Sequence, residues 1–337
     1  MIAKNDIIIR KSILHVLDNG RGDLILSPAL LDPGPDLYEF IRSHIYRLLT
    51  SDDAKDCEFN KETSPVYSLL ASWDELDEDS FIETSQALAG KLYAAMGECL
   101  DVPPADLIFT TFQAEEVIYL AMLKMNYRES YTHNISDSGL AGIVKTRALL
   151  PTATARIPEA ILINLSDFHI KLMEKKYEAN GEKINYLSEL FLVCSTQLPP
   201  KQKLKALTKV INDISNEFDG ADVTAKLDTK SVLSREFEEK KAFDVEEIGS
   251  TLYSESPQKK AAFDERIEKY DLQYDNFTLN NENSAKKLER QTLVTDTGIE
   301  ITIPMDLYGR KALFDVKTDV TGKSTIIISE ISDLILK

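Results

Sequence analysis

Two carboxylates and a lysine near the end of the chain have the residue types, and nearly the spacing, of a metal-dependent nuclease signature. Pro304-x-Asp306 is followed nine residues later by Asp315-Val316-Lys317. In such nucleases two carboxylates hold Mg²⁺ and a lysine helps to position the attacking water. Met305 separates the proline from the aspartate here, and alternating Asp, Val and Lys is also typical of an exposed strand. A structural role is therefore favoured, and a Mg²⁺-dependent nuclease remains the third hypothesis.

Other catalytic patterns are weaker still. The four histidines show no HxH or HExxH spacing that would bring two of them to one metal ion; they are His15, His44, His133 and His169. The chain lacks a GxSxG nucleophile motif. Gly322-Lys323-Ser324 copies the end of a P-loop, but Lys317 stands where the first glycine should be, so a hairpin turn is favoured. We expect a protein that is not an enzyme and holds neither metal nor cofactor.

Basic side chains form the more informative pattern. Lys201, Lys205 and Lys209 repeat every four residues, so on a helix they form one row. The same segment carries an apolar stripe of Leu204, Leu207, Ile211 and Ile214. A second basic cluster precedes the C-terminal β-like segments and contains Lys286, Lys287 and Arg290, with Arg310-Lys311 beyond it. Both groups could bind DNA phosphates, which are recognised by point charges, although a solvated helix face is the alternative interpretation.

The elements that would position these residues indicate an α+β fold. Residues 7–17 and 24–26 flank a turn signal and predict a hairpin, and residues 36–49 and 80–99 have helical periodicity. Residues 116–125 fit a strand or a helix equally well. We expect a mixed sheet with flanking helices over residues 1–198, a helical connector region over 199–270, and a small β-rich C-terminal element over 271–337.

Composition limits the class of protein. The 337 residues carry a formal charge of −17, so a surface that coats polyanions uniformly is excluded, although a local basic face is not. Hydrophobic residues at 43% and charged residues at 28% are typical of a globular protein. Three widely spaced cysteines predict neither a disulfide framework nor a zinc site. No apolar run reaches the length of a membrane span, and no signal peptide is evident, so a cytoplasmic location is expected.

The order of segments is similar to that of the bacterial nucleoid-associated proteins of the NdpA type. The resemblance rests on apolar pattern over most of the chain, in ILHVLD at 13–18, LILS at 24–27 with LLDP at 30–33, VIYLAML at 117–123 and GIEITI at 298–303. It implies a cytoplasmic bacterial protein found with the chromosome, dimeric, and connected with DNA organisation or with proteins that act on DNA topology. It implies no enzyme activity.

These observations predict a non-enzymatic nucleoid-associated protein that binds DNA weakly and without sequence specificity through local basic faces. The alternative is an acidic adaptor or regulator that docks on a basic DNA-processing protein. A homodimer is expected in either case, and a membrane partner is not.

Overall fold

The chain divides into two compact units, Met1–Leu198 and Pro199–Lys337. The structure is a computed structural model, which describes residues 2–135, 141–218, 220, 223–308, 310, 312–319 and 323–333. No helix among these residues is long and apolar enough to cross a membrane. The α+β class expected from the sequence is confirmed, whereas the three-part division of the chain stays a prediction.

The first unit is built on an antiparallel sheet of eight strands. The described strands of the whole unit, including those outside this sheet, are β1 (Ile7–Asp18), β2 (Asp23–Ile25), β3 (Lys55–Phe59), β4 (Ala105–Ala114), β5 (Val117–Asn126), β6 (Arg128–Ile135), β7 (Ala141–Leu149), β8 (Glu159–Asn164), β9 (Ile170–Met173), β10 (Tyr177–Ala179), β11 (Glu182–Ile184) and β12 (Cys194–Thr196). The large sheet has the order β12-β3-β9-β8-β5-β4-β1-β2, while β6 pairs with β7 and β10 with β11 in separate hairpins.

Helices cover both faces of this sheet. They are α1 (Pro35–Leu49), α2 (Pro65–Leu70) and α3 (Glu78–Gly97), together with a π-helical turn at Leu187–Leu192. Alternate residues of the central strands enter different cores: Leu107 and Phe109 pack with α2, α3 and the π-turn, whereas Ile108 and Phe112 pack with α1. This explains why β4 and β5 are almost continuously apolar, since both of their faces are buried.

Several local predictions can be compared with the structure. Residues 116–125, left open between strand and helix, form β5, which pairs with β4 over ten residues. Ser80 and Glu83 have the spacing of a capping box, which predicts a helix start at Ser80, but α3 begins at Glu78 and the Asp77 side chain accepts the Ser80 N–H. Asp and Ser have similar N-cap preferences, so the residue type alone does not decide which of them begins the helix. The apolar segment 184–194 is helical only over the π-turn. Cys57, Cys99 and Cys194 are free thiols.

The second unit combines helices with small hairpins. The helices are α4 (Pro200–Phe218), α5 (Val223–Lys240), α6 (Val245–Leu252), α7 (Pro257–Glu268) and α8 (Glu282–Lys286). The strands are β13 (Phe243–Asp244), β14 (Asn276–Phe277), β15 (Arg290–Val294), β16 (Glu300–Pro304), β17 (Phe314–Thr318) and β18 (Ser324–Ile328). One core joins α4, α5, α6 and α7, and a smaller one is formed by Leu227 with the β15–β16 and β17–β18 hairpins.

Candidate nucleic-acid interface

The candidate interface is the outer face of α4. This helix begins at Pro200, and the carbonyl of Pro199 accepts the backbone N–H groups of Gln202 and Lys203. Proline suits this position because the first helical N–H has no intrahelical partner. The inner face of α4 is buried in the core of the second unit through Ala206, Leu207, Val210, Ile211 and Ile214. Packing of the inner face therefore fixes the direction in which the outer face points.

The structure brings Lys201, Lys205 and Lys209 together on this outer face, and all three are exposed. They line a shallow depression of about 520 Å³. Its other lining residues are Leu204, Thr208, Asn212 and Asp213. With a rise of about 1.5 Å per residue, the row of three ammonium groups spans about 12 Å. Leu204, expected in the buried stripe, is half-buried and forms part of the floor of the depression.

A fourth lysine of the helix, Lys203, has a different environment. Its ammonium lies 2.8 Å from a carboxylate oxygen of Asp275 and 5.9 Å from the ring centre of Phe277, and the side chain is buried. This environment of Lys203 was not predicted from the sequence. The signal was present, because Lys203 lies four residues before Leu207 and therefore on the apolar stripe.

The electrostatic setting distinguishes Lys205 and Lys209 from several other cations of this unit. Lys260, Arg266 and Lys269 form ion pairs with Asp264, Glu217 and Glu265. Lys205 and Lys209 have no carboxylate partner among the residues that the structure describes. The first ten residues of α4 contain four lysines and no acid, although the positive end of the helix dipole disfavours cations there. Helix stability therefore does not explain the row.

The second basic cluster is exposed but less concentrated. Lys286 ends α8 and lies 3.8 Å from Glu282, and Lys287 is the next residue. Arg290 begins β15, and its backbone carbonyl accepts a hydrogen bond from the Lys230 ammonium. The depression on α4 is lined by α4 residues, so the structure does not place this cluster in it. Lys311 and Gly322 lie outside the described residues.

The nuclease-like residues lie in different elements of the second unit. Asp306 is exposed in the turn after β16, whereas Asp315 and Lys317 lie on β17 in another hairpin. The Lys317 ammonium lies 3.2 Å from Asp315. Among the described residues, no three His, Cys, Asp or Glu side chains form a group that could hold a metal ion. The four histidines are also separate, and His44 is buried against Phe40 as a packed structural residue.

One buried polar cluster of the first unit was missed by the sequence analysis. Lys124 on β5 lies 3.0 Å from Glu159 on β8, and both side chains are almost fully buried. The carboxylate of Glu159 also accepts hydrogen bonds from Asn126, Tyr177 and Tyr186. A single lysine inside the apolar run of β5 is the signal that could have found it. Because the pair is enclosed and fully hydrogen-bonded, we interpret it as structural.

The comparisons with known proteins concern the whole chain. No curated protein sequence matches it significantly. A protein-family model described as nucleoid-associated protein YejK matches residues 13–335, which is nearly the whole length. This match confirms the resemblance to nucleoid-associated proteins that the order of apolar segments predicts. The chain belongs to the family of nucleoid-associated protein YejK.

Proposed function

We propose that this chain is a non-enzymatic nucleoid-associated protein of the bacterial cytoplasm that contacts DNA weakly and without sequence specificity. The observation that carries the proposal is the exposed row of Lys201, Lys205 and Lys209, which lines one depression on α4. Lys286, Lys287 and Arg290 provide a second contact. Membership of a nucleoid-associated family supports the same assignment.

The charges of the row define how it would bind DNA. Ammonium groups bind phosphates as point charges and carry no sequence code, so binding is tolerant of sequence. α4 presents no aromatic side chain in the depression, which argues against base stacking as the main contact. The net charge of −17 repels the duplex elsewhere. Contact is therefore limited to local basic faces, and a homodimer would double their number.

Fluorescence anisotropy of a labelled duplex as a function of salt tests the proposal. If the row neutralises three phosphates, the logarithm of the DNA association constant should fall against the logarithm of the salt concentration with a slope of about −3. If the second cluster also binds phosphates, the slope should steepen to about −5. The triple variant Lys201→Glu, Lys205→Glu, Lys209→Glu should lose binding at low salt while remaining folded. The control variant carries the same change in net charge at three exposed lysines of the first unit: Lys175→Glu, Lys176→Glu and Lys183→Glu. Equal DNA affinity of the two triple variants would eliminate the α4 face.

A separate experiment tests whether the protein lacks nuclease activity. Supercoiled plasmid is incubated with the wild-type chain and Mg²⁺ or Mn²⁺, and no nicking is expected. Nicking that disappears in Asp315→Ala and Lys317→Ala would overturn the non-enzymatic assignment and support metal-assisted hydrolysis.

An acidic adaptor is the second candidate function, and one segment favours it. Residues 74–79 contain five carboxylates around Leu76, whose side chain is largely exposed. Such a surface is complementary to a basic DNA-processing protein. The segment ends in the first turn of α3: Asp77 is the N-cap, and Glu78 and Asp79 are the first two helical residues.

A pull-down from bacterial lysate, with and without nuclease treatment, separates the two candidates. Partners lost with the DNA support direct binding, whereas partners that survive nuclease treatment support the adaptor. A variant with Asp74→Asn, Glu75→Gln, Glu78→Gln and Asp79→Asn keeps the Asp77 cap and should release those partners. If it retains them, the acidic segment is not the docking surface.

A further inference from the structure

Two of the three cysteines lie on one face of the β3–β12 ladder. Cys194 is directly opposite Phe59, and Cys57 is directly opposite Thr196. Because alternate residues of a strand share a face, Cys57, Phe59 and Cys194 lie on the same side of the sheet, and the two cysteines are diagonal to each other. Both cysteines belong to the core that this face forms with α2 and α3. Folding thus brings together two thiols that are far apart in the chain.

The two thiols are in contact but differ in exposure. The Cys57 thiol is hydrogen-bonded to the Cys194 thiol, and this contact, followed by burial, raises the pKa of Cys57. Cys57 is 2% exposed, whereas Cys194 is only half-buried. The nearby Lys55 ammonium, which would favour a Cys57 thiolate, is paired with Glu174 at 2.7 Å. A small solute can therefore reach Cys194, while Cys57 stays a protected, neutral thiol beside it.

The backbone before Cys194 has an unusual conformation. A π-helical turn ends at Leu192, and Val193 follows with a φ of 50° and a ψ of 68°. This is the left-handed region, which a β-branched residue rarely adopts. The carbonyl of Val193 accepts the backbone N–H of Asn60, so the surrounding structure holds the strained residue in place. Strained residues and π-helical turns are both concentrated at functional sites.

The position of β12 lets it adjust to a new bond. It is an edge strand of three residues that pairs with β3 in the eight-stranded sheet. Diagonal neighbours of an antiparallel pair are about 7–8 Å apart, and a disulfide needs Cα atoms within about 7 Å. A small shift of β12 toward Cys57 is therefore sufficient, and an edge strand can make this shift without disturbing a second ladder.

We propose that Cys194 is a site of oxidation by hydrogen peroxide and that Cys57 resolves the oxidised sulfur as a reversible disulfide. In the first step the Cys194 thiolate attacks one peroxide oxygen, the O–O bond breaks, and hydroxide leaves with the thiol proton as water. The sulfur is oxidised to a sulfenic acid, and the peroxide is reduced. In the second step the Cys57 sulfur attacks the sulfenic sulfur. The S–S bond forms, the S–O bond breaks, and hydroxide leaves with the Cys57 proton as a second water.

A reversible bond fits this pair better than a permanent crosslink. All three cysteines are free thiols in the structure, and disulfides of cytoplasmic proteins are mostly transient and redox-sensing. A disulfide that must draw β12 toward β3 carries strain, and strained disulfides are more easily reduced. Reduced glutathione should therefore restore both thiols. The inference goes beyond DNA binding and does not depend on it.

Peptide mapping of the full chain after treatment with hydrogen peroxide tests the proposal. Free thiols are blocked with N-ethylmaleimide, and the chain is digested with trypsin without reductant. We expect a disulfide within one chain between the peptides of residues 56–61 and 184–201, while Cys99 remains alkylated. The Cys57–Cys194 linkage should exceed either linkage to Cys99 at least about tenfold, because the fold aligns these two thiols. This preference should disappear when the same oxidation is carried out in urea.

Three variants separate the roles of the cysteines. Cys57→Ala should leave the Cys194 sulfenic acid unresolved, so that dimedone traps it. Cys194→Ser should leave Cys57 reduced under the same treatment. Cys99→Ala is the matched control, since it changes a buried cysteine outside the sheet, and it should form the disulfide like wild type. The triple α4 variant should also be oxidised like wild type, which separates this result from the DNA-binding test.

Several outcomes of the wild-type peptide map would overturn the proposal, and none of them requires a variant to fold. They are a disulfide between two copies of the chain, a preferred linkage to Cys99, and the same mixture of linkages with and without urea. Cys194 that stays reduced, or that is oxidised to the sulfinic acid while Cys57 remains a thiol, would also overturn it.

Discussion

The two units contain lysine side chains in opposite environments: Lys124 in the first unit, and the row of Lys201, Lys205 and Lys209 in the second unit. Lys124 is enclosed, with Glu159, Asn126 and the Pro103 carbonyl within hydrogen-bonding distance. The row of Lys201, Lys205 and Lys209 is exposed on one helix face. A charge that serves folding is surrounded by partners from several strands and loops. The outer row is instead exposed along a depression on α4.

The pKa shifts around Lys124 describe the cost of enclosure. Burial holds the pKa of Lys124 below its usual value, although the nearby Glu159 carboxylate opposes this shift. Burial alone would raise the pKa of Glu159, but Lys124 and the hydrogen bonds from Tyr186 and Asn126 outweigh it, so the pKa is lowered. Burial followed by the charge of Glu159 raises the pKa of Tyr186. The protonation state of each group therefore depends on the others.

The largest effect is therefore expected from breaking this pair. Lys124→Met leaves the Glu159 carboxylate buried without its ammonium and should lower the free energy of unfolding by about 3–5 kcal/mol. Chemical denaturation at pH 7 measures it. The double variant Lys124→Met, Glu159→Gln should recover part of the loss, because no uncompensated charge remains. A single variant as stable as wild type would show that the pair is not needed for folding.

A second prediction sharpens the comparison within α4 itself. Lys203→Met removes the partner of Asp275, whose side chain is about one-fifth exposed, and should lower the free energy of unfolding by about 2–3 kcal/mol. Lys205→Met, two residues away on the outer face, should change it by less than about 0.5 kcal/mol. Denaturant midpoints of the two variants give the difference. Equal destabilisation would show that the two faces of α4 do not divide folding from binding.

His44 provides a third case, a buried basic side chain without a polar partner. Both ring nitrogens lack a hydrogen-bond partner among the described residues, and burial, followed by the charge of Arg47, lowers the pKa of His44 to about 4. Between pH 6.5 and 4 the unfolded chain binds a proton that the folded chain does not. Stability is thus present above pH 6.5 and falls as the pH approaches 4.

His44→Leu should remove this acid penalty, which amounts to about 2 kcal/mol at pH 5. The measurement is the free energy of unfolding of wild type and variant at pH 7 and at pH 5. Burial also lowers the pKa of His15 to about 4, but this residue is present in both proteins and its contribution cancels. If both proteins lose the same stability between the two pH values, His44 is not the group that titrates.

The sequence predicted elements well where one periodicity dominated. The alternation in residues 299–303 and the stripe of α4 both correspond to the elements observed. Prediction of element boundaries and types failed where two local sequence signals competed. Asp77 and Ser80 could both cap α3, and the helix begins after Asp77. The β5 segment was ambiguous because a strand buried on both faces loses its alternation.

The candidate interface could be predicted in part. Spacing alone placed Lys201, Lys205 and Lys209 on one face of a helix, since that depends only on the helical repeat. It could not show that Lys203 is enclosed, because Asp275 and Phe277 lie more than 70 residues away in the chain.

The smallest expected effect tests whether the outer row contributes to folding at all. Lys201 is in the first turn of α4, where the positive end of the helix dipole favours an anion. Lys201→Glu should therefore raise the free energy of unfolding by about 0.5 kcal/mol while it weakens DNA binding and reduces the salt slope by about 0.9. Lys209→Glu is the matched control, because it removes one phosphate contact in the third turn, beyond the reach of the dipole. Denaturation and anisotropy measured on the same two variants decide the outcome. If Lys201→Glu destabilises the chain, this lysine serves folding as Lys124 does, and the contrast between the two regions fails at that position.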